Sequence, residues 1–91
     1  MLKTLEELIE TIRQRKNADP KKSYTSTLLS DKKFAIKKVT EEINELIEAI
    51  EKNTNKIHET ADVLYHLMVL LEANGIKIEE VMEELKKRQK W

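Results

Sequence analysis

Glu59-Thr60-Ala61-Asp62-Val63-Leu64-Tyr65-His66-Leu67-Met68-Val69-Leu70-Leu71 is the stretch that decides the fold. From Ala61 to Leu71 it is an almost unbroken apolar run, with Asp62 and His66 its only strongly polar side chains. It has neither Gly nor Pro and is longer than a buried strand usually is. It therefore reads as a helix apolar on nearly every side, the central helix of the fold. At about 100° per residue, Glu59, Asp62 and His66 fall on one line while the leucines cover the rest of the circumference. A carboxylate inside such a helix is costly unless a cation, a metal or several hydrogen bonds meet it. Asp62 has to be accounted for by the rest of the chain.

Upstream, Asn53-Thr54-Asn55 reads as a turn in which Thr54 or Asn53 caps this helix. Before it, Asp31 is a good cap for a long helix running to about Lys52, with Val39, Ile43, Leu46, Ile47 and Ile50 as its core stripe. The two long helices are expected to form an antiparallel hairpin. Thr4 to about Lys16 reads as an amphipathic helix with Leu5, Leu8, Ile9 and Ile12 inward, Thr4 as N-cap and Glu7 completing a capping box. Asn17 to Lys22 is a loop around Pro20, and the hydroxyl-rich segment Ser23 to Ser30 has no periodicity to place it. Asn74-Gly75 stops the central helix, and a last helix runs from about Ile78 to Lys90 with Ile78, Val81, Met82 and Leu85 inward. The expected fold is all-α, a small single-domain bundle of about four helices assembled as a dimer.

Bulk properties agree. One Gly, one Pro and 37% charged residues in 91 suit an all-helical domain. A chain this short buries only about 60–65% of its unfolded surface, so a second subunit or a ligand is an expected source of stability. Seventeen basic and 17 acidic residues cancel, which gives no steering toward nucleic acid or acidic membranes, and neither partner is expected. The absence of Cys excludes disulfides and thiolate chemistry. The acids of Met1-Leu2-Lys3-Thr4-Leu5-Glu6-Glu7 come too early for a signal peptide, and no apolar run is long enough to span a bilayer. A soluble, cytoplasmic protein is expected.

Glu41, Glu42 and Glu45 lie within about one turn of the long helix, on a side roughly 140° from its apolar stripe, which alone suggests a solvated face. Glu59 and Asp62 change the weighing, because their line continues into His66 and Val69 rather than into Lys, Glu or Gln. Across a hairpin, Glu42 and Glu45 face Glu59 and Asp62, and both pairs are spaced i, i+3. Carboxylates about 4–5 Å apart repel by roughly 3–4 kcal/mol per pair at an effective dielectric near 20. Mg²⁺ or Mn²⁺ would relieve that repulsion and keep positions open for phosphate oxygens.

Glu-Glu-x-x-Glu followed after a short gap by Glu-x-x-Asp resembles the signature of the MazG-like nucleotide pyrophosphohydrolases. Within them the chain is most similar to the phosphoribosyl-ATP pyrophosphohydrolase family, almost end to end. The likeness lies in Arg15-Lys16, Ala18-Asp19-Pro20, Ser23-Tyr24-Thr25 with Leu28-Leu29, and Lys37-Lys38-Val39. It continues through Ala61-Asp62-Val63-Leu64-Tyr65-His66-Leu67 to Val81 with Glu84-Leu85. Thr40 and Ile43 stand where the family usually has Gly and Ala. The resemblance implies a Mg²⁺-dependent homodimer, or dimer of dimers, that cuts phosphoribosyl-ATP between its α- and β-phosphates, with Mn²⁺ as a substitute cofactor. Carried over by position, Glu42, Glu45, Glu59 and Asp62 are the metal ligands, and Glu41 is a base or further ligand.

The same resemblance makes Ser23, Tyr24 and Thr25 substrate contacts rather than ordinary loop residues. Lys38 either pairs with Glu42 or meets a substrate phosphate. His66 is either a core histidine with a satisfied ring or a substrate contact. Tyr65 and Trp91 read as packing residues, and Arg15 and Lys16 as candidates to reach a phosphate across a subunit interface. Two rival functions stand beside the first: a house-cleaning nucleoside triphosphate pyrophosphohydrolase, and a non-catalytic helical dimer with a solvated acidic face.

Overall fold

The computed structural model describes residues 1–91 as five α-helices without a strand: α1 Lys3–Arg15, α2 Tyr24–Ser30, α3 Lys32–Lys52, α4 Lys56–Ala73 and α5 Ile78–Lys87. The expected count of about four is corrected by α2, the segment that periodicity cannot place. Ser23 caps it, its side chain accepting from the Ser26 N–H at 3.3 Å. Tertiary hydrogen bonds then hold it: Ser26 Oγ donates to the Arg15 carbonyl at 2.8 Å and Thr27 Oγ1 to the Pro20 carbonyl at 2.6 Å. Leu28 is its one fully buried apolar anchor.

Asp31 both ends α2 and caps α3, accepting from the Phe34 N–H at 3.1 Å. The turn after α3 uses Asn53 and Asn55 in the left-handed region (φ 56° and 45°), which asparagine tolerates better than most residues. Thr54 N–H donates to the Ala49 carbonyl at 2.9 Å and closes the helix end. Two expected caps are corrected. Thr4 lies inside α1, which starts without a side-chain cap, and Asn55 rather than Thr54 or Asn53 stands at the start of α4. Gly75 ends α4 at φ +68°, and the Ile76 N–H returns to the Leu71 carbonyl at 2.9 Å.

The helix α4 is central, packed against α1, α2 and, most extensively, α3. Ile9, Ile12, Leu28, Ala35, Met68 and Val69 form the core, with Leu5, Leu8, Phe34 and Tyr65 packed around it. The face of α3 is the main correction. Its buried line is Ala35, Val39, Glu42 and Ala49, whereas Ile43, Ile47 and Ile50 join Ile36 in solvent. Alanines at 35 and 49 let the α3 backbone approach α4, and that approach turns the larger isoleucines away. On α5 only Ile78 packs on the core; Met82 and Leu85 are exposed, and so is Trp91, which therefore packs on nothing. The last helix stops at Lys87, and Arg13 ties it to α1 through a two-point bond to Glu79 at 3.0 and 2.7 Å.

The fold is open for its size. Its radius of gyration is 14.2 Å, against about 12 Å for a compact chain of this length. Its accessible surface is 7063 Å², against about 5,500 Å² for a monomer of this mass.

Candidate active site

The packing of α3 on α4 brings Glu42 and Glu45 from one helix to Glu59 from the other, with carboxylate oxygens within 4.8 Å of one another. Glu59 stands in the first turn of α4, where the helix dipole favours a negative charge. Asp62 is half-exposed and forms a second, overlapping group with Glu59 and His58. The four acids expected as one set thus divide into two groups that share Glu59. The buried member is also a different residue from the one expected. Glu42 is 7% exposed, whereas the Asp62 side chain is 38% exposed. The residue the central helix seemed to bury sits at its rim, and the acid from the apparently solvated face of α3 is inside.

Burial pushes the Glu42 carboxyl above the usual carboxylate range, and the nearby Glu45 adds to the shift. Burial does the same to Glu59, again with Glu45 contributing. One oxygen of each, Glu42 Oε2 and Glu59 Oε2, is buried without a hydrogen-bond partner. Buried acceptors left unpaired are costly, and two on members of one group of acids suit a hard divalent cation. The residues present fit the ion that the resemblance implies.

A second shell of polar contacts joins α2 to this centre. Tyr24 Oη donates to His66 Nε2 at 3.1 Å, and His66 Nδ1–H donates to the Asp62 carbonyl at 2.9 Å, which sets the tautomer. His66 is buried with both ring nitrogens engaged. The Tyr24 ring stacks on Tyr65 with centroids 6.4 Å apart, and the Thr25 and Tyr65 hydroxyls are hydrogen-bonded. Burial pushes the Tyr24 phenol up against the pull of Lys38, keeping it a neutral donor. Lys38 Nζ lies 3.1 Å from Glu41 Oε2 and 3.8 Å from Glu42 Oε1, so an ammonium stands at the edge of the acids. The Ser23 side chain is committed to capping α2. Thr40 is exposed and bonded back to the Ile36 carbonyl, and Ile43 is exposed.

Lys16, a candidate for a distant phosphate, instead pairs with Glu72 at 2.9 Å, and Arg13 joins the same carboxylate at 3.0 Å. That network and His58 escape a reading of the sequence alone. Arg13 and Glu72 are 59 residues apart, and only the packing of α1 on α4 brings them together. For His58 a signal existed, since it precedes Asp62 by four residues on one helix face; its Nε2 lies 3.4 Å from Asp62 Oδ2.

Fold and site together define a class: an all-α domain with a carboxylate centre between its two longest helices. The chain belongs to the phosphoribosyl-ATP pyrophosphohydrolase family, whose sequence model matches residues 5–89. A phosphoribosyl-ATP pyrophosphatase of Dechloromonas aromatica is 44% identical over 88 residues, covering 93% of this chain and 82% of its own. One of Metallosphaera sedula is 42% identical over 93 residues, covering 99% of this chain and 100% of its own. A histidine biosynthesis bifunctional protein of Pyrococcus furiosus is 47% identical over 90 residues, spanning 98% of this chain and 43% of that protein.

Proposed function

We propose that this chain is a Mg²⁺-dependent phosphoribosyl-ATP diphosphatase of histidine biosynthesis, acting in the cytoplasm. It hydrolyses the α–β phosphoanhydride to phosphoribosyl-AMP and pyrophosphate. The substrate follows from the family and from relatives named for it. The observation that carries the chemistry is Glu42, 7% exposed, with one buried unpartnered oxygen and a place in the same group as Glu45 and Glu59. A merely solvated acidic face has no reason to bury one of its members.

Glu42, Glu45, Glu59 and Asp62 would hold the cation, Mg²⁺ or in its place Mn²⁺. When bound, the cation neutralises phosphate oxygens and polarises the anhydride. The protein supplies the rest. Lys38 presents an ammonium to a substrate phosphate at the rim, and Tyr24, its one hydroxyl proton committed to His66, meets the substrate with its half-exposed ring. Ser23 and Thr25 place the start of α2 against the substrate. Glu41 is held by Lys38; a phosphate that draws Lys38 away frees Glu41 to accept a proton from the attacking water.

The working unit is a homodimer or a pair of dimers, centred on α3 and α4 as an antiparallel hairpin. Ile36, Ile43, Ile47 and Ile50 of α3, with Ile57 and Leu64 of α4, supply an exposed apolar surface for a second copy. The surface excess over a compact monomer, about 1,500 Å² per chain, exceeds the roughly 800 Å² per partner of a standard interface.

Pyrophosphate release tests the assignment. Release from phosphoribosyl-ATP that requires Mg²⁺ is expected. Turnover of dUTP with none of phosphoribosyl-ATP would replace it with the house-cleaning activity. Sedimentation velocity should give a dimer or tetramer; a monomer at all concentrations refutes the assembly.

A further inference from the structure

His58, Glu59 and Asp62 have their ligand atoms within 4.8 Å of one another, and they share Glu59 with the group of Glu42 and Glu45. The bland account of His58 is an exposed i, i+4 pair with Asp62, its side chain 73% exposed and the contact 3.4 Å long. Such a pair contributes little to stability. Three observations argue for more. Glu59 belongs to both groups, and its Oε2 is buried without a partner. Glu42, more than nine-tenths buried and likewise with an unpartnered oxygen, belongs to the neighbouring group, which shares Glu59 with that of His58. The other imidazole, His66, already has Tyr24 on one nitrogen and the Asp62 carbonyl on the other. His58 is thus the one imidazole free to bind an ion here.

We propose that His58 is a cation ligand, forming with Glu59 and Asp62 a position that prefers transition-metal ions such as Mn²⁺ and Co²⁺ over Mg²⁺. The proposal rests on the reading of the carboxylates as metal ligands. Its basis is donor chemistry: Mg²⁺ selects oxygen and gives up its water reluctantly, whereas imidazole nitrogen suits borderline ions. The two groups are then chemically unequal, one all-oxygen and one mixed, with the Glu59 carboxylate able to face both. His58 is exposed and outside the core, so replacing it leaves the fold intact.

The test uses the full chain, stripped with chelator, and the metals alone as probes. Pulsed electron paramagnetic resonance of the Mn²⁺-loaded protein should show coupling to an imidazole nitrogen that disappears in His58→Gln. Calorimetric titration should show Co²⁺ affinity falling by roughly tenfold or more in that variant, with Mg²⁺ affinity changed by less than about twofold. Mn²⁺ binding without nitrogen coupling, coupling that persists in His58→Gln, or equal Co²⁺ affinities would each overturn the role of His58 and leave the carboxylate centre standing. A wild-type chain that binds no divalent cation overturns both.

Discussion

Glu42 on α3 and Glu72 on α4 are equally buried, each 7% exposed, yet their surroundings drive them in opposite directions. Burial pushes Glu72 up, but the hydrogen bonds of Lys16 and Arg13 outweigh it and hold the carboxyl below its ordinary value. Glu42 has burial and neighbouring acids that outweigh His66 and one edge contact with Lys38 at 3.8 Å, and its carboxyl is held up. The difference lies in what stands opposite each acid. The end of the molecule where α1, α4 and α5 meet neutralises its buried charge within the chain and is built for stability. The centre between α3 and α4 leaves its charge uncompensated, as expected where a ligand is to complete it.

The strongest way to break this comparison is Glu42→Gln. We expect a loss of activity of about a hundredfold or more, together with a rise in metal-free stability of about 1–2 kcal/mol as repulsion is relieved. Steady-state kinetics and urea unfolding measure the two halves; unchanged activity would remove Glu42 from the site. Glu72→Gln should do the reverse, costing about 1–3 kcal/mol because two cations lose their buried partner. A thermal melt should register that as a drop of about 4–8 °C per kcal/mol, with Mg²⁺ affinity unchanged. A variant as stable as the wild type would show that the network is idle.

pH separates the two ends further. Folded Glu42 and Glu59 hold protons more tightly than the unfolded chain, whose glutamates titrate near about 4.3. Metal-free stability should therefore fall as pH rises from that value through the raised folded ones. Glu72 and Glu79 behave oppositely: their contribution is complete above the unfolded value and is lost as pH falls, for Glu79 down to its folded value of about 2, set by Arg13. Urea melts across pH should show Glu42→Gln flattening the upper side of the curve and Glu72→Gln the lower. The same flattening in both variants would refute the contrast. Glu79→Gln gives the smallest effect, because that side chain is 63% exposed and its pair is screened. A loss as large as that of Glu72→Gln would mean that α5 matters more to the fold than its packing suggests.

Local chemistry was legible in the sequence, and tertiary choice was not. Asp31 before α3 and Gly75 after α4 are boundary signals carried by single residues, and the structure uses both. The α2 helix was illegible because hydrogen bonds to Arg15 and Pro20 hold it, and no periodicity encodes them. The face of α3 was misread because an apolar stripe looks the same in sequence whether it enters the chain's own core or faces outward. Ala35 and Ala49, too small to register as a stripe, decide the contact. At the site, the i, i+3 spacing of Glu42 with Glu45 and Glu59 with Asp62 was visible. Which acid is buried depended on that same face of α3, so Asp62 and Glu42 exchanged places.

Trp91 is the only tryptophan and is 80% exposed. Its indole is in water before unfolding and after it, so its fluorescence emission is nearly blind to the loss of the core. A blue shift in that emission with rising concentration would instead report a second copy covering the C-terminal end. A residue outside the core is thus placed to signal association apart from folding.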